Sequence, residues 1–575
     1  MDYLANMKKL VFTGFLLLVA VLCACNKDEV ITTAMPPKIV IENDGIFTTK
    51  VGRALFLQPQ VENADKQDIS YTWLMDGIKR GEMPTYTFLS DISGTFYLTL
   101  RVESATGKDE ADIRIEVYDI VEPKISFLTK NGIIEIERST PTEIKPSVLA
   151  GEGATFSWSL DGESIGEEPT CTLNIPETGD YALALEVENE DGKTRAEVSV
   201  RVVERLSGSV VFPALTGLGE CETRSISLGQ SITLSPTIEG FKQPSYSWSV
   251  DGEVQGNTEF FTFTPTAEGA YKIDVTVSDD DGYIRSTEIE VKCCAPEGTF
   301  RREATHNSLM RWNKIYEYTP AAGQFIGEDK SGFTGAEQSA AAAAIFAEKR
   351  LSDGLFLSLG AWGGRLIAGF DHSVANDEGA DLIIAGNMFD SSSEPAIVWV
   401  MQDSNDNGLP DDEWYELRGS EWGSKNHSTR YAVTYFRPAG NGMAVRWRDN
   451  RGAEGEVPYI SIHAQPSYFP AWIEGESYTL YGSRLEKNTQ TDSAGKVWHL
   501  PYAWGYADNL GEDCEAIGEG EAVRCRFDID NAVSVDGSAA ELKYIDFVKI
   551  QSAVNGVDEA MGELSTEILA IECVR

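Results

Sequence analysis

The chain has 575 residues, with 91 acidic against 48 basic side chains, a formal net charge of -43 and a 42% hydrophobic fraction that includes 10% aromatics. That length exceeds what one core can organise and suggests about three to five domains. The composition excludes wholesale disorder, and the acidic excess, with no Lys/Arg run beyond Lys8-Lys9, excludes a surface built for nucleic-acid phosphates.

Lys8 and Lys9 precede an apolar run from Leu10 to Leu22, too short to span a bilayer comfortably and of the length of a secretory signal core. It ends in Leu22-Cys23-Ala24-Cys25, which resembles a bacterial lipobox. The resemblance implies a signal peptide over residues 1–24, cleavage before Cys25, and acylation of its thiol and new amine. Several acyl chains hold a membrane stably where one is marginal. Asn26-Lys27-Asp28-Glu29 is similar to the surface-export signal of Bacteroidota lipoproteins, which implies a lipid-anchored position on the cell outer membrane, exposed at the surface. Residues 25–36 are then a tether.

Three copies of one pattern follow, assigned to residues 37–119, 120–204 and 205–294. Their centres are Tyr71-Thr72-Trp73-Leu74-Met75-Asp76-Gly77, Phe156-Ser157-Trp158-Ser159-Leu160-Asp161-Gly162 and Tyr246-Ser247-Trp248-Ser249-Val250-Asp251-Gly252, with a period of 85 to 90 residues. Alternation of inward and outward residues predicts a strand, and each Asp-Gly supplies the positive φ of a tight hairpin. A second signature, Gly94-Thr95-Phe96-Tyr97, Gly179-Asp180-Tyr181 and Gly269-Ala270-Tyr271, opens another alternating strand. A buried Trp on one strand and an aromatic starting a late one mark an immunoglobulin-like β-sandwich. The copies resemble the PKD-like domains of secreted bacterial proteins, and their tryptophans are read as core.

Pro296 marks the boundary of the last region, residues 295–575. Gly335 to Arg350, with alanines from Ala340 to Ala344, is the one convincing helix, with Ile345 and Phe346 on the face expected to pack on a sheet. Elsewhere strands dominate, at Leu355 to Leu359, Arg365 to Phe370, Asp381 to Ala385, Ala396 to Met401, Tyr431 to Phe436, Ala444 to Trp447, Ser477 to Tyr481 and Tyr544 to Gln551. The whole chain is therefore expected to be all-β, with three tandem immunoglobulin/PKD-like sandwiches and a larger sandwich of jelly-roll type carrying one short helix.

Asp403-Ser404-Asn405-Asp406-Asn407-Gly408-Leu409-Pro410-Asp411 alternates oxygen-bearing residues around a glycine, which is how a short loop wraps a hard cation such as calcium. It resembles the loops of thrombospondin type 3 and dockerin repeats. The expected ligands are Asp403, Asn405, Asn407, Leu409 through its carbonyl, and Asp411, and the expected role is structural. Trp414 stands where an EF-hand has its bidentate Glu, and the other reading is an Asx turn capped by its own side chains.

Motifs for nucleophilic, metallo-hydrolytic or phosphate chemistry are missing from the sequence. Glycoside hydrolysis needs two carboxylates beside an aromatic cleft, for which Asp371, Asp381, Glu394, Asp508 and Glu563 are candidates. Among 91 acids such coincidences are common, and the chain is read as no enzyme. Cysteine spacing offers no zinc site; Cys514 and Cys525 flank a hairpin and are placed to bridge.

The last region holds all five histidines and nine of the twelve tryptophans. Aromatics in Pro- and Gly-rich loops are expected to be exposed and to contact a ligand. The candidate contacts are Trp422, Tyr468, Phe469, Trp472, His499, Tyr502, Trp504 and Tyr506. The segments Ser358-Leu359-Gly360-Ala361-Trp362-Gly363-Gly364, Gly369-Phe370-Asp371-His372-Ser373-Val374, Trp414-Tyr415-Glu416-Leu417 and Trp504-Gly505-Tyr506-Ala507-Asp508-Asn509 resemble the C-terminal domain of PKD-containing surface lipoproteins of gut Bacteroidota. Some of these are BtuH-type cobalamin-binding proteins that work beside a TonB-dependent transporter. The resemblance implies capture of cobalamin (vitamin B12) for uptake. The alternative is a glycan-binding or glycan-cleaving lipoprotein of a polysaccharide utilisation system.

Overall fold

The computed structural model describes residues 35–575 other than 66, 329–336, 390–391, 494, 517–521, 559–561 and 575. Cys25, the signal segment and most of the tether lie outside the described residues. The chain divides into two compact units, 1–121 and 122–575.

The first unit holds one sandwich. Its main sheet runs Ile46–Lys50, Gly107–Tyr118, Gly94–Ser104, Ser70–Met75, Ile78–Gly81, with the first strand parallel to its neighbour and the rest antiparallel. The second unit begins with two more sandwiches of the same topology, in which Thr155–Leu160 and Ser245–Val250 take the place of Ser70–Met75. The expected core tryptophans are Trp73, Trp158 and Trp248, each with no exposed surface. Each indole N–H donates to a carbonyl ten residues on, at Met83 (2.9 Å), Glu168 (2.8 Å) and Thr258 (2.8 Å). The Asp-Gly turns have both residues at positive φ, 52° and 75° at Asp76-Gly77 and 46° and 87° at Asp251-Gly252, as a two-residue hairpin of matching twist requires.

The terminal region is a sandwich of antiparallel sheets. A six-stranded sheet runs Lys314–Thr319, Arg365–Ala375, Tyr544–Ser552, Ala396–Met401, Trp414–Leu417, Ala532–Val533. Across one apolar core it faces a four-stranded sheet, Cys514–Ala516, Val523–Phe527, Leu382–Gly386, Ala570–Cys573. A third sheet, Glu454–Val457, Val445–Asp449, His427–Phe436, Ser477–Leu485, closes a second core rich in tyrosine. Cys514 and Cys525 are disulfide-bonded.

The helix spans Ala340–Ser352, started by the Ser339 hydroxyl accepting from the Ala342 N–H at 3.2 Å. Its packing face corrects the expectation from the sequence. Ala343, Ala344, Ala347 and Leu351 are buried and Phe346 is partly buried, whereas Ile345 is 71% exposed.

Candidate functional site

The eight residues expected to line an exposed ring surface do not form one. Tyr468, Phe469, His499, Tyr502 and Tyr506 are between 0% and 7% exposed, so the interior holds them. Tyr468 accepts the Ile460 N–H at 3.0 Å through its hydroxyl, and Phe469 meets the Tyr478 ring edge-on at 5.1 Å, both in the tyrosine-rich core. Tyr502 and Tyr506 pack together at 5.7 Å beside Ile397 and Leu485. His499 faces Asp558 at 3.5 Å, and burial holds its imidazole below the usual pKa. The physical reason is that each buried hydroxyl reaches a backbone group, which removes the cost of burying a tyrosine. Trp422, Trp472 and Trp504 are partly exposed, and Trp422 and Trp504 line different recesses. Trp472 bridges the two main cores, and Trp504 borders a recess with Arg418, Asp513 and Arg526.

Trp422 lies instead in a cleft between the third sandwich and the terminal sandwich, about 600 Å³ with its open mouth. The third sandwich contributes Arg224, Thr233, Ser235 and Thr237; the terminal one contributes Trp399, Glu413, Trp414, Glu416, Trp422 and Arg430. The two walls are pinned together. Arg224 donates to Glu413 at 3.2 Å with both side chains buried, and the Glu413 N–H donates to the Ser225 carbonyl at 3.2 Å. Arg430 donates to the Ser235 hydroxyl at 3.0 Å, pairs with Glu259 and lies 5.0 Å from the Phe260 ring centre. Deeper in, Arg365 bonds Glu317 at 2.8 Å and the Gly217 carbonyl.

The polar groups of the cleft are incompletely partnered. The indole N–H groups of Trp399 and Trp414 and the Thr237 hydroxyl are buried without a hydrogen-bond partner. Lys549 lies 4.3 Å above the Trp399 ring and 5.1 Å above that of Trp414, and burial, with Arg365 next, holds its amine well below the usual lysine range. Glu416 is held by His427 at 2.9 Å and Ser483 at 2.5 Å. Buried donors without acceptors are costly unless a ligand supplies the acceptors. The cleft thus offers aromatic faces and charges of both signs, with two unpartnered indole N–H groups buried in its walls, a set that suits a small amphipathic molecule. Sequence reasoning missed it because Trp399 and Trp414 sit on strands, where Trp reads as core, and because Arg224 and Glu413 are 189 residues apart.

The Asp403 loop folds on itself beside the cleft. Asp403 accepts the Asn407 and Gly408 N–H groups at 3.1 and 3.0 Å; the Asn407 amide donates to both Asp411 oxygens at 3.0 and 3.1 Å. The Asn405 amide donates to Asp412 at 2.5 Å. Asp406 and Gly408 take the positive φ, 56° and 70°. The five expected ligand residues share one loop, in which the Asn405 Oδ1 accepts the Asn407 N–H at 3.0 Å and the Asn407 Oδ1 accepts the Leu409 N–H at 2.7 Å, the Asx turns of the other reading. Residues of that set fit a hard cation. Asp412, largely buried, has its carboxyl pushed up to about 7.

Comparison with known proteins bears on the sandwiches. A family described as PKD-like domain matches residues 36–104 and 122–189. Human polycystin-1 is 24% identical over 207 residues, 35% of this chain. The Caenorhabditis elegans muscle M-line assembly protein unc-89 is 21% identical over 265 residues, 41% of the chain. The chain spans only 4% and 3% of those two proteins. Among solved structures, the I-band fragment I67-I69 of titin covers 45% of this chain and 97% of its own at 16% identity and a TM-score of 0.21. Three N-terminal domains of the bacteriophage RB49 Hoc protein cover 46% and 100% at 14% identity and 0.22.

Proposed function

We infer that this chain, whose first two sandwiches match the PKD-like domain family, is a non-catalytic capture protein. It is anchored to the outer membrane through acylated Cys25, and its third and terminal sandwiches together take a small ligand for a TonB-dependent transporter. The observation that carries capture is the cleft with its unpartnered Trp399 and Trp414 N–H groups and the Trp422 ring. Cobalamin as the ligand rests on the resemblance of the terminal region alone, and with five of the eight candidate rings buried its contacts move to Trp422 and the cleft walls.

A second reading, a glycan, is favoured by the lining of the cleft, where aromatic faces beside Arg and Glu pairs suit sugar hydroxyls. Calorimetry and co-elution of the full chain with cyanocobalamin, and separately with short oligosaccharides, separate the two. Trp422→Ala is expected to weaken the binding partner by about tenfold or more. Heat from neither ligand class overturns the capture reading. For the Asp403 loop, calcium is expected to raise the melting temperature of EDTA-treated protein, less so in Asp403→Asn; equal shifts in both remove the metal from the loop.

A further inference from the structure

Three acids from three distant stretches meet inside the terminal sandwich. Glu394 precedes the strand Ala396–Met401, Asp508 follows the Trp504-Gly505-Tyr506 turn, and Glu567 lies on the short strand Glu567–Ile568. One carboxylate oxygen from each falls within 4.8 Å of the other two. Asp508 is 1% exposed and Glu567 3%, while Glu394 is partly buried as a residue with its carboxyl group inside.

The backbone is built to hold them there. Asp508 accepts the Asn387 N–H at 3.2 Å and the Glu567 N–H at 2.9 Å. Gly386 permits this approach, since a Cβ there would lie 2.5 Å from the Asp508 carboxylate. The Glu394 N–H donates to the Asp508 carbonyl at 2.9 Å. Ser358 and Ser565, bonded to one another at 2.5 Å, stand beside Glu567.

Among the described residues no positive charge acts on the cluster. The charges acting on Glu394 are those of Glu567, Asp508 and Glu563, and the charge acting on Asp508 is that of Glu567. The Oε1 of Glu567 and the Oε2 of Glu563 are buried without any hydrogen-bond partner. Carboxylates in an apolar interior must shed charge or meet a cation. Oxygens sharing one calcium at about 2.3 to 2.6 Å can be no further apart than about 5 Å, and these three satisfy that limit. The surrounding donors are carboxylate, hydroxyl and amide oxygen, with no imidazole or thiolate, which selects a hard cation over a transition metal.

We propose that Glu394, Asp508 and Glu567 form a calcium site, separate from the Asp403 loop, that ties the Trp504–Asn509 turn to the short strand Glu567–Ile568 and its partner Leu357–Ser358. None of the three lines the inter-sandwich cleft, so the site does not depend on the capture reading.

The test uses the full chain, stripped with EDTA and titrated with calcium chloride by calorimetry. To remove the Asp403 loop from the count, an Asp403→Asn, Asp411→Asn background is used. One equivalent of calcium is expected to bind in that background, raise the melting temperature, and be lost in Glu567→Gln. Because Glu567 is buried, Glu394→Gln, at the partly buried residue, serves as the second variant, checked for fold by circular dichroism, and is expected to lose the same equivalent. A background protein that takes up no calcium, or one whose stoichiometry is unchanged by both Gln variants, overturns the proposal and leaves the cluster as protonated acids.

Discussion

The three immunoglobulin-like modules and the terminal sandwich solve burial in opposite ways. In the first two modules the core is apolar, and in all three the one polar atom the core Trp carries inside is satisfied by a carbonyl ten residues on. In the terminal sandwich Arg365, Lys549, Glu416, Asp508, Asp546, Glu563 and Glu567 are each 2% exposed or less, or 3% for Glu567, and two tryptophans keep unpartnered N–H groups. A fold under selection for stability alone has no use for such groups. The difference makes the terminal sandwich, with the wall the third module lends it, the region in which the proposed capture is to be tested.

The largest effect expected to test that contrast comes from the cores. Trp248→Ala removes a fully buried ring and its hydrogen bond and is expected to cost about 3 to 5 kcal/mol, read by urea unfolding. Trp422→Ala, partly exposed at the cleft, is expected to cost less than about 1 kcal/mol while weakening ligand binding. Equal losses at the two positions would break the comparison.

The next effect lies at the join. Glu413→Ala leaves the Arg224 guanidinium buried without its partner, a change expected to cost about 3 kcal/mol or more. The readout is separation of unfolding into two calorimetric transitions as the third module uncouples. A single transition at the original temperature would show that the pair does not hold the wall.

Acidity should act with opposite sign on the two regions. In the third module Arg205, bonded to Asp279, holds that carboxyl well below its ordinary value of 3.8. Its folded pKa is depressed, so its stabilisation is present above about pH 4 and is lost as pH falls through the folded value. In the terminal sandwich burial raises Glu563 from 4.5 to about 8 and Asp412 from 3.8 to about 7. Here the folded protein binds the proton more tightly than the unfolded chain. Stability is then greatest below about pH 4 and falls as pH rises towards 7 to 8. Calorimetry of EDTA-treated protein between pH 3 and 8 should show the two regions diverging, and calcium should flatten the terminal slope.

The modules were legible in the sequence because each is local. Strand alternation, an Asp-Gly turn and a core Trp recur within one stretch, and the structure places Trp73, Trp158 and Trp248 where that pattern puts them. The strands of the terminal sandwich were legible for the same reason, and so was the bridge between Cys514 and Cys525. Its site was not. Composition marked Tyr468, Tyr502 and Tyr506 as surface because they stand near Pro and Gly, yet each hydroxyl finds a backbone partner inside. The cleft and the acid cluster are assembled from residues 59 to 189 positions apart, and no periodicity spans such distances.

The helix gives the smallest effect and the sharpest view of why large residues misled. With about 100° between successive residues, Ala343, Ala347, Leu351 and Ala344 fall within an arc of about 100°, Phe346 sits about 60° outside one edge, and Ile345 about 100° beyond the other. The strand Lys314–Thr319 lies close against the alanine arc, so small side chains are what the contact needs and the isoleucine is left outside. Ile345→Lys is therefore expected to change stability by no more than about 0.5 kcal/mol. Ala347→Leu, which forces three more carbons into a filled contact, is expected to cost about 1 to 3 kcal/mol. Urea unfolding of both variants decides between the two faces: if the lysine proved the more damaging, the helix would be packed on the side the sequence first suggested.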